Sequence, residues 1–141
     1  MKKETSENIL YFPLYFYFWL HALLPLKILY ILSDILFFPM FYIVRYRRKL
    51  VYQNMKDSFP EKSEKEIRRM EKAFYHHFCD YIVETIKLLH ISDKETRKRV
   101  KFHNTEALQE IVDNGGSCLM LLGHYGNWEW FSGSTSRFKD S

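Results

Sequence analysis

Two hydropathic regimes divide the chain, and they meet near residue 50. From residue 9 to residue 44 almost every position is apolar or aromatic, with Lys27 and Asp34 as the charges and Pro13, Pro25 and Pro39 as the breaks. A helix that is apolar all round has no water-facing side, so such a segment is covered by protein or by lipid. As a helix, Ile28 to Val44 reaches about 26 Å, against a hydrocarbon core of about 30 Å. At roughly 0.3 to 0.6 kcal/mol each, its Ile, Leu, Phe and Val residues outweigh about 3 kcal/mol for Asp34, while Pro39 narrows the margin. A spanning helix, a helical hairpin and a helix lying in the interface all satisfy this pattern. Lys2 and Lys3 precede the apolar run as in a signal peptide, but the run is too long and too aromatic and no small-residue cleavage site follows. The expected organisation is a polar tail over 1–8, membrane-associated helices with a basic flank over 9–49, and a second domain over 50–141.

From residue 50 onward the pattern is that of a soluble domain. Asp57 to Glu61 contains Ser58-Phe59-Pro60 and predicts a turn. Ser63 and Glu66 form a capping box, each able to satisfy a free backbone N–H of the other. From there Ile67, Met70, Phe74, Phe78, Tyr81, Ile82, Thr85, Ile86 and Leu89 recur at steps of mostly three and four, which predicts one apolar stripe along about seven helical turns. Ser92 and Glu95 repeat the capping signature ahead of a shorter helix. Val100 to Phe102 suggests a short strand, and a helix is expected from Thr105 to Asp113, closed by Gly115 and Gly116. Ser117 to Leu122 is a short apolar run bounded by glycines, the pattern of a strand buried on both faces of a parallel sheet. The expected fold class is therefore α/β, helix-rich, with membrane-associated helices at the N-terminus.

Composition sharpens this picture at two points. Tyr11, Phe12, Tyr15, Phe16, Tyr17, Phe18 and Trp19 crowd into nine positions, a density suited to a membrane interface, where a ring holds its apolar body in hydrocarbon and its polar edge in water. The net charge of +4 is modest, but Arg45, Arg47, Arg48 and Lys49 directly follow the apolar segment. Such a cluster favours an anionic cytoplasmic leaflet, at about 1 kcal/mol per charge. Nucleic-acid binding is disfavoured, because no nucleic-acid motif accompanies the cluster and acidic residues are interleaved downstream. Cys79 and Cys118 stand alone, which specifies neither a disulfide framework nor a zinc site and fits a reducing cytoplasm.

Candidate chemistry gathers in Gly123-His124-Tyr125-Gly126-Asn127-Trp128-Glu129. His124 directly follows the expected buried strand, at the carboxyl end where α/β folds place their sites. Gly123 and Gly126 permit a close substrate approach or a backbone conformation closed to larger residues. A helix starting near Asn127 would aim its free N–H groups at the same place, toward an anion or a developing oxyanion. Five positions apart on one helix, His124 and Glu129 would point about 140° apart. With His124 in the loop and Glu129 in the first helical turn, the carboxylate can accept a proton from one imidazole nitrogen and leave the other as a base. By spacing alone, a solvated pair remains the plainer reading.

The string Leu121-Leu122-Gly123-His124-Tyr125-Gly126-Asn127-Trp128-Glu129 resembles the histidine-and-acid motif of the bacterial lipid A biosynthesis acyltransferases, the late acyltransferases of lauroyl and myristoyl type. The aromatic N-terminal segment, the basic Arg45 to Lys49, the Asn54 to Pro60 turn and the long amphipathic helix agree with the same layout. The resemblance implies that His124 takes the proton of a hydroxyl on a lipid A precursor or similar glycolipid, which then attacks an acyl carrier protein thioester. It implies that Glu129 orients His124, that Gly126, Asn127 and Trp128 line the substrate site, and that neither metal nor nucleotide cofactor is required. It places the protein at the inner membrane with its soluble part facing the cytoplasm. The family's domain continues with further strands, helices and basic residues, so the resemblance covers its front half, and 50–141 is expected to be a partial acyltransferase domain. An inactive truncated remnant or membrane-anchored interaction module, and an acyltransferase acting on another membrane lipid, are the alternatives.

Other residues carry weaker signals. His76 and Asp80, four apart with His77 adjacent, are two ligands short of a firm metal site and suit an exposed or partner-facing cluster better. His21 and His103 have no constellation around them. Ser132, Ser134 and Ser136 lack the nucleophile-elbow pattern. Tyr125 and Trp128 suit an acyl pocket and ordinary packing equally.

Overall fold

In a computed structural model, the described residues are 2–119 and 121–132, with side chains described for 11–119 and 121–131. They fall into two compact units, Met1–Lys87 and Leu88–Ser141.

The first unit is helical. Helix α1 (Lys2–Ala22) begins inside the stretch expected as a polar tail, and α2 (Leu26–Phe38) follows a break at Pro25. At Pro39 the helix widens into π-type turns over Pro39–Val44, because proline has no N–H to bond the carbonyl four residues back and its ring crowds that carbonyl. Arg45 and Arg47 both take left-handed backbone conformations (φ +52°) and reverse the chain into α3 (Arg48–Ser58). Helix α4 (Glu64–Lys87) is the long helix that the periodicity predicts. Its start is held as expected by Glu66, which accepts from the Ser63 N–H at 2.9 Å, although the Ser63 hydroxyl donates to the same carboxylate at 2.6 Å instead of accepting from the helix.

Helices α2 and α4 run antiparallel along one another and supply the core. Leu26, Leu29, Ser33 and Phe37 of α2 are buried, followed by Phe41 of the π-type turns. The α4 residues buried are Ile67, Glu71, Tyr75, Cys79 and Val83, so only Ile67 belongs to the expected stripe. From Glu71 onward the seam lies one residue over from Met70, Phe74, Phe78 and Ile82, a turn of about 100° around the helix. The physical reason is polar pairing across the seam. Glu71 is satisfied by Arg48, Asp80 accepts from the Ser33 hydroxyl at 2.6 Å, and Glu84 accepts from the Tyr30 hydroxyl at 2.7 Å. Phe37 and Phe41 stack at 5.3 Å, and Tyr75 meets Phe41 edge-on at 5.4 Å while its hydroxyl donates to the Tyr46 carbonyl. His76, singled out with Asp80 by spacing, stacks on Phe37 at 3.6 Å and faces Asp34 at 3.7 Å. Both residues thus serve helix packing, and no cluster of three or more metal-ligating side chains occurs among the described residues. Lys87 reaches across to the Ala22 and Leu24 carbonyls at 2.7 and 3.0 Å, satisfying the end of α1.

The second unit holds a 3-10 turn (Leu88–His90), α5 (Asp93–Arg99), α6 (Glu106–Asp113) and α7 (Glu129–Ser132). The Ser92 side chain caps α5 as expected, accepting from the Glu95 N–H at 3.3 Å. Gly115 (φ +72°) and Gly116 close α6 with N–H bonds to Val112 and Ile111 at 2.9 and 2.8 Å, the pairing of a Schellman motif. The strands expected at Val100–Phe102 and at 117–122 do not form among the described residues, which are helix-rich as expected. Leu119 and Leu121 are 87% and 88% exposed, and Met120 lies outside the described residues. A strand exists by pairing its backbone with a neighbour, and no second strand is present among the described residues to pair with.

Candidate active site

His124 sits in an irregular loop that follows the exposed Leu121 and Leu122 and leads into α7. A Tyr125 N–H bond to the Gly123 carbonyl at 2.9 Å closes a tight three-residue turn around it. Gly126 adopts φ +59°, a conformation strained for any residue with a Cβ, so the sequence reading of a special backbone holds at this glycine. At Gly123 an added Cβ would meet nothing within 4 Å. Asn127 then starts α7: its side-chain oxygen accepts the Glu129 N–H at 3.3 Å, and its carbonyl accepts the Trp130 N–H at 3.4 Å. This gives Asn127, expected to bind substrate, a local structural task.

The Trp128 ring meets the His124 imidazole edge-on with centroids 4.9 Å apart. Glu129 is the first residue of α7. The ring contact to Trp128 is what the loop brings to the histidine. Tyr125 is almost wholly exposed and lines no enclosed acyl pocket. Among the described residues, α7 covers one turn, Glu129–Ser132. Ser132 is the last described residue of this turn, and Ser134 and Ser136 lie outside the described residues.

Two aromatic residues that the sequence reading passed over hold the loop in place. Trp130 is buried, with the Arg99 guanidinium 5.8 Å above its ring, and Phe131 packs edge-on against Phe102 at 5.7 Å. The signal available in the sequence was their adjacency to Trp128 in an otherwise polar stretch.

This loop, its glycines and its acid lie within the segment by which the chain is related to known proteins: residues 3–133 match the family described as bacterial lipid A biosynthesis acyltransferase. The chain belongs to that family. Its general function is therefore acyl transfer, with an acyl donor and a lipid acceptor as substrates. No curated protein and no solved structure matches the chain. Among the described residues, one continuous helical segment, Leu26–Val44 with mean hydropathy 1.8, is long and apolar enough to cross a membrane by length and composition. Within this acyltransferase family member the segment packs one face against α4 and leaves Ile28, Ile31, Ile35, Phe38 and Tyr42 exposed along the other.

Proposed function

We propose that this acyltransferase moves a fatty acyl chain from an acyl carrier protein thioester to a hydroxyl of a lipid A precursor or similar glycolipid at the inner membrane. The observation that carries the reading is the family match over residues 3–133, which includes the whole run from Gly123 to Glu129. In the proposed reaction the His124 imidazole takes the acceptor hydroxyl proton as the oxygen attacks the thioester carbonyl. The tetrahedral intermediate then collapses, the C–S bond breaks, and the imidazolium returns its proton to the departing thiolate. Glu129 holds the imidazole in orientation and stabilises its charge, Gly126 shapes the loop, and Trp128 positions the ring. No metal or nucleotide takes part.

Membrane association is proposed from the apolar surface, and the packing of α2 favours a helix lying in the interface over one that crosses. Helix α2 lies along α4 from the Tyr30–Glu84 contact to Phe41 against Tyr75. Carrying α2 through a bilayer would draw in Lys72, Asp80 and Glu84, at about 2.5 to 3.5 kcal/mol for each charge near the centre. An interfacial α2 gives Ile28, Ile31, Ile35, Phe38 and Tyr42 to lipid and leaves α4 in water.

The test is acyl transfer by a full-length protein from acyl carrier protein to a lipid A precursor. His124→Ala should lower turnover by about 10²- to 10⁴-fold, as expected for removal of a general base, and Glu129→Gln should lower it with membrane association intact. Wild-type transfer by His124→Ala would refute the assignment. A second reading, a membrane-anchored interaction module without activity, is favoured by the exposed Leu119, Leu121 and Leu122, and an absence of transfer by the wild-type protein with every membrane acceptor tried would select it.

A further inference from the structure

Apart from the candidate active site, the first unit contains a cavity of about 660 Å³ where the apolar segment ends and α3 begins. Five cationic side chains, Arg45, Arg47, Arg48, Lys49 and Arg68, line it with a single carboxylate, Glu71. Two of those cations are already paired. Glu71 accepts from Arg48 Nε at 2.9 Å and Nη2 at 3.2 Å, and Glu64 faces Arg68 at 3.0 Å. Arg45, Arg47 and Lys49 have no carboxylate within 4.0 Å among the described residues. Arg48 is also pinned over the Phe41 ring, 4.0 Å from its centroid, so this wall of the cavity is preorganised.

The backbone adds to the same field. Helix α3 starts at this cavity with Arg48 and Lys49 in its first turn and no acidic residue there, the reverse of the charge that a helix N-terminus favours. Its N-cap, Arg47, makes no side-chain capping bond. The Arg48 and Val51 N–H groups bond the Arg45 and Arg47 carbonyls, which leaves the Lys49 and Leu50 N–H groups as first-turn donors without a backbone acceptor among the described residues. A helix start with Arg48 and Lys49 in its first turn, and with Arg45 and Arg47 beside it, is completed by an anion.

We propose that this cavity is a binding site for a phosphate group, carried by a membrane lipid headgroup that Arg45, Arg47 and Lys49 grip and that the α3 N-terminus and Arg48 orient. Phosphate matches the site in offering several acceptor oxygens to convergent guanidinium and backbone donors. A lipid source matches its place, directly after Val44 at the end of the apolar segment, with Leu50 and Tyr52 also lining the cavity. The site is independent of His124 and Glu129, and its assignment stands or falls apart from acyl transfer.

The test is calorimetric titration of the detergent-solubilised full chain with dihexanoyl phosphatidic acid, dihexanoyl phosphatidylglycerol, dihexanoyl phosphatidylcholine and inorganic phosphate, in wild type and in an Arg45→Gln/Arg47→Gln/Lys49→Gln variant. A matched control, Lys94→Gln/Arg97→Gln/Lys101→Gln, removes the same charge from the second unit. Circular dichroism of each variant checks that helix content is retained. The anionic lipids should bind and the zwitterionic one should not, and the pocket variant should lose about a hundredfold, from roughly fivefold per cation, while the control stays within threefold. Inorganic phosphate that binds as tightly as the lipids supports the phosphate site with a soluble source; weaker binding supports the headgroup. Equal losses in both variants, or no loss in the pocket variant, overturn the site.

Discussion

The Arg48–Glu71 pair provides a quantitative test of how the first unit is held together. Glu71 is 2% exposed and Arg48 24%, so removing either partner strands the other in a different environment. Arg48→Ala leaves a carboxylate almost fully out of water, at about 3 to 5 kcal/mol for an orphaned buried charge. Arg68, with Nη1 4.0 Å from Glu71 Oε2, can move in and offset part of that, which brings the expectation to about 3 kcal/mol. Glu71→Ala leaves a guanidinium that reaches water and still has the Phe41 ring and carbonyl, so the cost is nearer about 2 kcal/mol, the value of a charged hydrogen bond. Urea unfolding of the detergent-solubilised chain, followed by the helical circular dichroism signal, gives both values as midpoint shifts at unchanged slope. The double variant should cost less than the sum of the two, with a coupling of about 1 to 3 kcal/mol. A Glu71→Ala cost equal to or above that of Arg48→Ala, or additive single variants, would refute the reasoning.

Further expectations are more direct. Cys79 is fully buried, and burial together with the Asp80 charge pushes its thiol up, whereas Cys118 is exposed; one thiol should react with a maleimide in the folded chain and two after unfolding, as counted by mass spectrometry. The hydroxyl and then the N–H of Ser63 hold Glu66 below the usual carboxylate range, so their support for the α4 start is complete above the ordinary glutamate value and is lost as pH falls through the lowered one; in amide exchange, Ser63→Ala, which removes the hydroxyl and keeps the N–H, should reduce the acid-induced loss of protection in the first turn of α4. With Cys118 replaced by Ser, Lys27→Cys and Lys56→Cys should both react with an impermeant maleimide from the same side of a vesicle if α2 lies in the interface, and from opposite sides if it crosses. Ile31→Asp/Ile35→Asp, on the outward face of α2, should shift the chain from the membrane toward the soluble fraction in flotation assays, since each loses about 1.5 to 3 kcal/mol of apolar burial in lipid.

The features legible in the sequence are those set by residues within about five positions of one another. The α4 and α5 starts at Ser63–Glu66 and Ser92–Glu95, the α6 stop at Gly115 and Gly116, the apolar segment and the turn at Gly126 all depend on local backbone bonds and hydropathy, and the structure has each where the residues predict it. Tertiary contacts settled the rest. Glu71 and Asp80 become seam residues of α4 because Arg48 and Ser33, 23 and 47 positions away, satisfy them, and periodicity that treats acids as outward-facing has no access to those partners. The 117–122 run reads as a strand by composition, but a strand is a property of two segments, and among the described residues it has no neighbour. The candidate site was read from the string from Gly123 to Glu129, and the roles of its residues are proposed. What His124 touches was not legible there, because the approach of Trp128 depends on where Trp130 and Phe131 anchor the turn that follows.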